Sequence, residues 1–347
     1  MRGSHVALML AGAAVIAVAA GVAVVNRTNR TAPVAAETAL FPGLTARLGD
    51  VAAVDIQAKG KEFSITRSGE SWGMASKGGY PVATDKVAKL AFQLADLKGL
   101  EPRTSDPALY DRLSVGDPAK PDGEAKRVAL KAADGKALAD LIVGKTQSND
   151  TYATIGTYVR KQGEAQSWLA SGSVSVEADP IRWLDRTIVR LKKDDMMEAE
   201  LTGPDGTVML IRQQPDKPEF QVVDLPADKT DAAAVTRAMS VLEFLDFDDV
   251  RKADGLDFAK APAHARYVTA NGIVATVDIL EQDGKPWARV EVAREANAPA
   301  NEAADTTVKD LKARVAGWAY QLNSSDAEAL RRNLAAFTKK DDQTKTQ

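Results

Sequence analysis

The sequence predicts an α+β protein: an N-terminal transmembrane helix followed by two tandem β-rich repeats, each an antiparallel sheet with capping helices. Three observations carry that prediction. The run Val6 to Val25 is 20 uncharged residues, which as a helix rising about 1.5 Å per residue covers the roughly 30 Å of a bilayer's hydrocarbon core. Short stretches of alternating apolar and polar residues follow, divided by Gly, Asp and Lys turns, the pattern of half-buried strands. The order of hairpin, acid-capped helix, second hairpin and Trp-containing strand then occurs twice. The second copy starts about 147 residues after the first, a spacing longer than that of solenoid repeats and indicative of a duplicated domain. The expected segments are an anchor (1–25), a linker (26–43), a first repeat (44–192), a second repeat (193–337) and a disordered tail (338–347).

In the anchor, the apolar run exceeds the roughly 7 to 15 residues of a secretory signal core, so retention is expected over cleavage after Ala36. Arg2 lies on one side of the run and Arg27 and Arg30 on the other, so loop charge alone does not orient it. With nearly the whole chain behind the anchor, the body is expected in the periplasm, tethered as a single-pass protein of the inner membrane. Ala13, Ala17 and Gly21 recur every four residues on one helical face, where small side chains let a partner helix approach. The Thr, Ala, Pro, Asn and Arg residues from Asn26 to about Phe41 have no periodicity and read as a tether.

The first repeat opens on a hairpin. Val51, Val54 and Ile56 precede Lys59-Gly60-Lys61, and Phe63, Ile65 and Arg67 alternate after it. Thr84 and Asp85 can cap a helix with Val87, Leu90, Leu94 and Leu97 on one stripe, ended by Gly99 and by Pro102 beyond. Val128 and Leu130 pair with Leu138, Leu141 and Val143 across Asp134-Gly135. Ile155 to Arg160 and Trp168-Leu169 add strands, and Ile181, Trp183 and Leu184 follow Pro180 on a short helical segment.

The second repeat follows the same order. Met197, Ala199 and Leu201 meet Val208, Leu210 and Arg212, and Asp228 to Asp231 precede a helix carrying Val235, Met239, Leu242 and Leu245. Tyr267, Ile273, Val277 and Ile279 lead to Asp283-Gly284, and Trp287, Val290 and Val292 return. Ala293 to Thr306 reads as a loop, with a short helix through Val308, Leu311 and Val315. Trp318 to Leu322 forms a closing strand; Ser325-Asp326-Ala327-Glu328 has the form of a capping box, continued as helix by Leu330, Leu334 and Phe337.

The Tyr80-Pro81 pair before Asp85, the Asp134-Gly135 turn feeding Leu141-Ile142-Val143-Gly144, Thr157-Tyr158-Val159-Arg160, and Trp318-Ala319-Tyr320-Gln321-Leu322 together resemble the DUF4340 family over about Asp50 to Phe337. The resemblance implies a membrane-anchored, extracytoplasmic domain of unknown biochemical role, associated with ABC transporters of the gliding-motility type. It implies no catalytic set.

Composition narrows the chemistry. With 45 basic against 48 acidic residues, the net charge of -3 argues against nucleic acid as a partner. Absence of cysteine excludes disulfides, thiolate catalysis, Cys-based metal sites and a lipidated Cys anchor. Ala139 to Thr146 satisfies a permissive phosphate-loop pattern, but strand-forming Leu141 to Val143 stands where the glycine loop belongs, and no helix is expected after Lys145-Thr146. Nucleotide is therefore not expected. His5 and His264, the latter in a loop-like Ala-Pro-Ala-His stretch, read as incidental, since one imidazole without thiolates rarely makes a transition-metal site. Asp246, Asp248, Asp249, Asp254 and Asp257 lack the spacing of a calcium loop and read as a solvated cluster. Trp72, Trp168, Trp183, Trp287 and Trp318 recur at equivalent places and read as core.

The function expected is that of a non-enzymatic binding or scaffolding subunit, without cofactor or metal, accessory to an ABC-type transporter and touching its integral-membrane subunits. The alternatives are a cell-envelope hydrolase using paired carboxylates and an exported soluble binding protein.

Overall fold

A computed structural model describes residues 38–148, 154–212 and 219–339. The run Val6 to Val25, with His5, Ala13, Ala17 and Gly21, lies outside the described residues, as do most of the expected linker and tail. The described chain forms two compact units. One comprises residues up to Arg67 with Thr84–Ala178; the other comprises Ser68–Ala83 with the residues from Asp179 onward. The sequence reading drew a single boundary after residue 192, whereas here the hairpin at 68–83 is counted with the later unit.

In the first unit, β1 (Thr38–Ala39) precedes a 3-10 turn and the hairpin of β2 (Val51–Ala58) and β3 (Lys61–Ser68). Val51, Val54, Ile56, Phe63 and Ile65 are buried, so the alternation seen in the sequence is a true two-residue period. Lys59 and Gly60 both take positive φ, 51° and 72°, the two-residue turn whose twist matches that of the flanking strands. The chain then passes through β4 (Ser71–Met74) and β5 (Tyr80–Pro81), which count with the later unit, and returns as helix α1 (Thr84–Ala95), which buries Val87, Leu90, Ala91 and Leu94. There follow β6 (Lys98–Pro102), β7 (Lys126–Ala132), β8 (Ala137–Ser148), β9 (Thr154–Lys161) and β10 (Ser167–Ala170). Within this unit the strand order is β1-β6-β10-β9-β8-β7-β2-β3.

The later unit contains β11 (Thr187–Val189), the hairpin β12 (Met196–Gly203) and β13 (Gly206–Arg212), and β14 (Phe220–Val222). Helix α2 (Ala232–Ser240) is capped by Asp231, whose carboxylate accepts from the amides of Ala233 and Ala234 at 2.9 and 3.2 Å. Then come β15 (Leu245–Asp246), β16 (Asp249–Lys252), β17 (Ala263–Thr269), β18 (Ile273–Gln282), β19 (Lys285–Arg294), α3 (Glu302–Val315), β20 (Trp318–Gln321) and α4 (Ser324–Leu330). The large sheet runs β14-β13-β12-β17-β18-β19-β20-β16, and β11 pairs with β15 separately. Read from its β3 end, the first unit has the same order, with β3, β2, β7, β8, β9, β10 and β6 standing where β13, β12, β17, β18, β19, β20 and β16 stand.

The fold class is corrected by these elements. The protein is mostly β, built on three antiparallel sheets, rather than α+β with a membrane helix. Two physical reasons account for the shift. Segments read as helix ends or charged loops pair into sheets: Gly99 ends no helix but lies in β6, where a Cβ would stand 3.0 Å from the Trp168 ring. Asp249 to Lys252 likewise pairs with β20 residue for residue. The helices are short as well, at 12, 9, 14 and 7 residues. Among the described residues no helix is long and apolar enough to cross a membrane. The single-pass anchor, and the inner-membrane and periplasmic placement built on it, is thus not supported.

Smaller corrections concern caps and ends. Asn323, not Ser325, caps α4, its side chain accepting from the Asp326 amide at 2.9 Å. That helix stops at Leu330, and a separate 3-10 turn carries Leu334 to Phe337. Helix α3 already begins at Glu302, capped by Asn301, inside the stretch read as loop. The first tail residues are held: Thr338 bridges to Thr230, and the Lys339 amide donates to the Lys229 carbonyl.

Tyr80 on β5 anchors an aromatic cluster of the later unit. Its ring lies edge-on to Phe247, Trp318 and Tyr320, with centroids 5.3, 4.9 and 6.3 Å away. Burial pushes the Tyr80 phenol from the usual 10.0 up to about 12, and burial likewise raises Tyr267 and Tyr320. Because the unfolded chain loses these protons first, their contribution to stability is whole below pH 10 and falls as pH climbs toward 12. Alkaline titration followed by tyrosinate absorbance is expected to show these phenols ionising together with loss of the later unit's circular dichroism. Normal titration of all tyrosines in a folded protein would refute it.

Candidate functional site

Two polar constellations stand out, one on each unit. In the later unit, His264 lies within β17 rather than in a loop. Antiparallel register places it opposite Thr202 on β12 and opposite Asp278 on β18, while Asp278 in turn faces Arg289 on β19. Cross-strand neighbours on one face come within about 4.5–5.5 Å at Cβ, so the side chains meet in a row. The Asp278 carboxylate accepts from His264 Nδ1 at 2.7 Å and from Arg289 Nε and Nη2 at 3.2 and 2.6 Å. Asp278 is only 7% exposed, so a charge that would be unstable alone is held by two partners. The Arg289 guanidinium also stacks over Phe258 at 5.3 Å. Thr202 Oγ1 is hydrogen-bonded to Thr207 Oγ1 at 3.0 Å. Sequence reading missed Asp278 and Arg289 because their nearness to His264 depends on hairpin register; the signal lay in the alternation of polar residues on the two strands.

The acidic region between Asp246 and Asp257 does not converge. Asp248 pairs with Arg186 at 3.2 Å, Asp249 with Lys77 at 2.6 Å, and Asp257 with its own neighbour Lys260 at 2.8 Å. The Lys260 hydrogen bond holds the Asp257 carboxyl below its usual range. Among the described residues no group of three or more His, Asp or Glu could hold a metal ion. Of the tryptophans, Trp183, Trp287 and Trp318 are buried. Arg251 stacks on Trp287 at 4.0 Å and Lys252 on Trp318 at 3.6 Å.

In the first unit, the segment that mimics a phosphate loop is strand throughout, inside β8. It nevertheless lines a cleft of about 430 Å³ with Lys59, Ser114, Glu124, Lys126, Lys145 and Thr146. Three local features shape this cleft. β8 carries one extra residue against β9 where Val143 faces Val159 and Thr146 faces Thr157, a bulge that interrupts the pairing at Gly144 and Lys145. Gly144 passes so close to the end of the 3-10 turn Pro107–Leu113 that a Cβ would stand 2.2 Å from the Leu113 carbonyl oxygen. Ser114, closing that turn at φ 57°, donates from Oγ to Glu124 at 2.8 Å. Lys126 Nζ donates to the Val176 carbonyl at 2.8 Å. The sequence reading weighed Lys145 and Thr146 only as part of a phosphate-loop pattern that it set aside, and had no signal that Lys59, Ser114, Glu124 and Lys126 stand beside them.

Fold and sites define a mostly-β protein with one sheet topology repeated, carrying a lysine-lined cleft in one unit and an ion-paired His-Asp-Arg row in the other. A family model described as a domain of unknown function, DUF4340, matches residues 72–263. This is more than half of the 347 residues, and the chain belongs to the DUF4340 family. The match includes Tyr80-Pro81, Asp134-Gly135 and Thr157 to Arg160, and ends before Trp318 to Leu322. No curated protein matches the chain.

Proposed function

We propose that this protein is a non-enzymatic binding or scaffolding subunit, accessory to an ABC-type transporter complex and in contact with its integral-membrane subunits. The observation that carries the reading is the state of the side chains with catalytic potential. Asp248, Asp249 and Asp257 are each neutralised by a different cation, and Asp278 is engaged by both His264 and Arg289. A hydrolase working through paired carboxylates needs two of them facing one cleft, several ångströms apart; here they are dispersed over separate ion pairs. The repetition of one sheet topology supports the same reading, since rigid strands present fixed surfaces for docking. The link to a transporter rests on the family resemblance.

Crosslinking followed by affinity purification of the full chain from detergent-solubilised cells tests it. Transporter subunits are expected to co-purify above an unrelated control. Recovery of none, or turnover of glycan or peptide substrates by the purified chain alone, would sink the reading.

A further inference from the structure

We propose that the cleft of the first unit binds a phosphate-bearing ligand, an inference that goes beyond the scaffolding reading and does not depend on it. Charge is the first argument. Lys59, Lys126 and Lys145 set three ammonium groups against the single carboxylate of Glu124, leaving two positive charges on the lining. That matches a phosphate monoester near its second ionisation, which carries about -1.5 to -2. Glu124 is moreover turned toward Ser114 Oγ, which donates to it at 2.8 Å.

Donor chemistry is the second. An ammonium carries three N–H donors, so Lys126 keeps two beyond its bond to the Val176 carbonyl. Lysine acts toward phosphate as a compact, rotatable point charge. The Thr146 hydroxyl lines the same space. The volume, about 430 Å³, is within the roughly 300–1,000 Å³ of small-ligand sites.

The backbone is the third. Among the described residues three non-glycine residues have positive φ: Lys59, Ser114 and Asp283. Two of these line this one cleft. At Lys59 the positive φ belongs to the two-residue turn closing the β2–β3 hairpin, and at Ser114 it ends the 3-10 turn, so two tight turns deliver their residues to one place. With the β8 bulge beside Lys145, chain segments distant in sequence all adopt special conformations where the lysines gather.

The ligand's phosphate can belong to a free ester or to a lipid headgroup, and two titrations separate these sources. Calorimetry on the full chain with inorganic phosphate reads the first. Titration with vesicles containing phosphatidic acid, whose headgroup is a phosphate monoester, against phosphatidylcholine vesicles as blank, reads the second. Lys59 and Lys145 are exposed, so the double variant Lys59→Glu/Lys145→Glu is expected to keep its melting temperature. Saturable binding of either probe, weakened at least tenfold in the double variant and unchanged in Lys89→Glu on α1, is the expected result. Phosphate binding assigns a free ligand; binding of the anionic vesicles alone assigns a headgroup. Absence of saturable binding to both probes overturns the proposal, as does equal affinity of the double variant and the parent.

Discussion

Replacing Gly144 with alanine is expected to destabilise the first unit by about 3 kcal/mol, at the upper end of overpacking changes. A Cβ there would stand 2.2 Å from the Leu113 carbonyl oxygen, 2.8 Å from Val115 Cγ1 and 3.0 Å from the Ser114 carbonyl oxygen. Two of these atoms are backbone, fixed by the turn that Ser114 closes, and cannot yield as a flexible side chain would. Val115 is fully buried with Tyr110, Ala125 and Ile142, so the turn has no room to retreat. Gly49→Ala is the control, because a Cβ there meets nothing within 4 Å; its effect is expected within about 0.5 kcal/mol. Urea unfolding of both variants decides the matter, and equal midpoints would show that the close approach is not real.

The second large effect is expected from Tyr80→Ala, which removes an aromatic anchor from the later unit and costs about 3–5 kcal/mol. Tyr80 is 2% exposed and touches the rings of Phe247, Trp318 and Tyr320. The diagnostic is where protection is lost. Amide exchange is expected to quicken in β16 and β20, whose residues pack beside this cluster, while β7 and β8 keep their protection. Tyr80→Phe should cost less, about 1 kcal/mol, since it keeps the ring contacts and loses the hydroxyl's bond to Tyr320 and its 3.4 Å contact to the Asp185 carbonyl. Unchanged protection in β16 and β20 would show that Tyr80 does not anchor the cluster.

The hairpins were legible because their signals are local. Alternation over Val51 to Arg67, the Asp134-Gly135 turn and the Asp283-Gly284 turn each depend on residues within one strand pair, and each lies where it was expected. Val87, Leu90 and Leu94 of α1 and Val235 and Met239 of α2 were legible for the same reason, whereas Leu97, Leu242 and Leu245, expected on the same stripes, lie past the helix ends, Leu242 in a 3-10 turn and Leu245 in β15. Class and site were less so. Gly99 carries the same signal whether it stops a helix or makes room for Trp168, and only the pairing of β6 with β10 separates the two. The loop-like setting of His264 concealed a strand because Ala-Pro-Ala precedes it, while its partners stand 14 and 25 positions away in numbering, on two other strands. Lys145 drew attention through a short motif, yet its neighbours in the cleft come from the β2–β3 turn and from the 3-10 turn after Pro107.

By itself, the sequence determined the repeated order of strands and helices, the absence of cysteine chemistry and the family, because these depend on residue identity and near-neighbour periodicity. Only the tertiary structure decided that β dominates, that Ser68–Ala83 is counted with the later unit, and that three lysines distant in sequence share one cleft. The physical reason is that side-chain burial and charge proximity are set by register and packing between segments far apart along the chain, which no local pattern encodes.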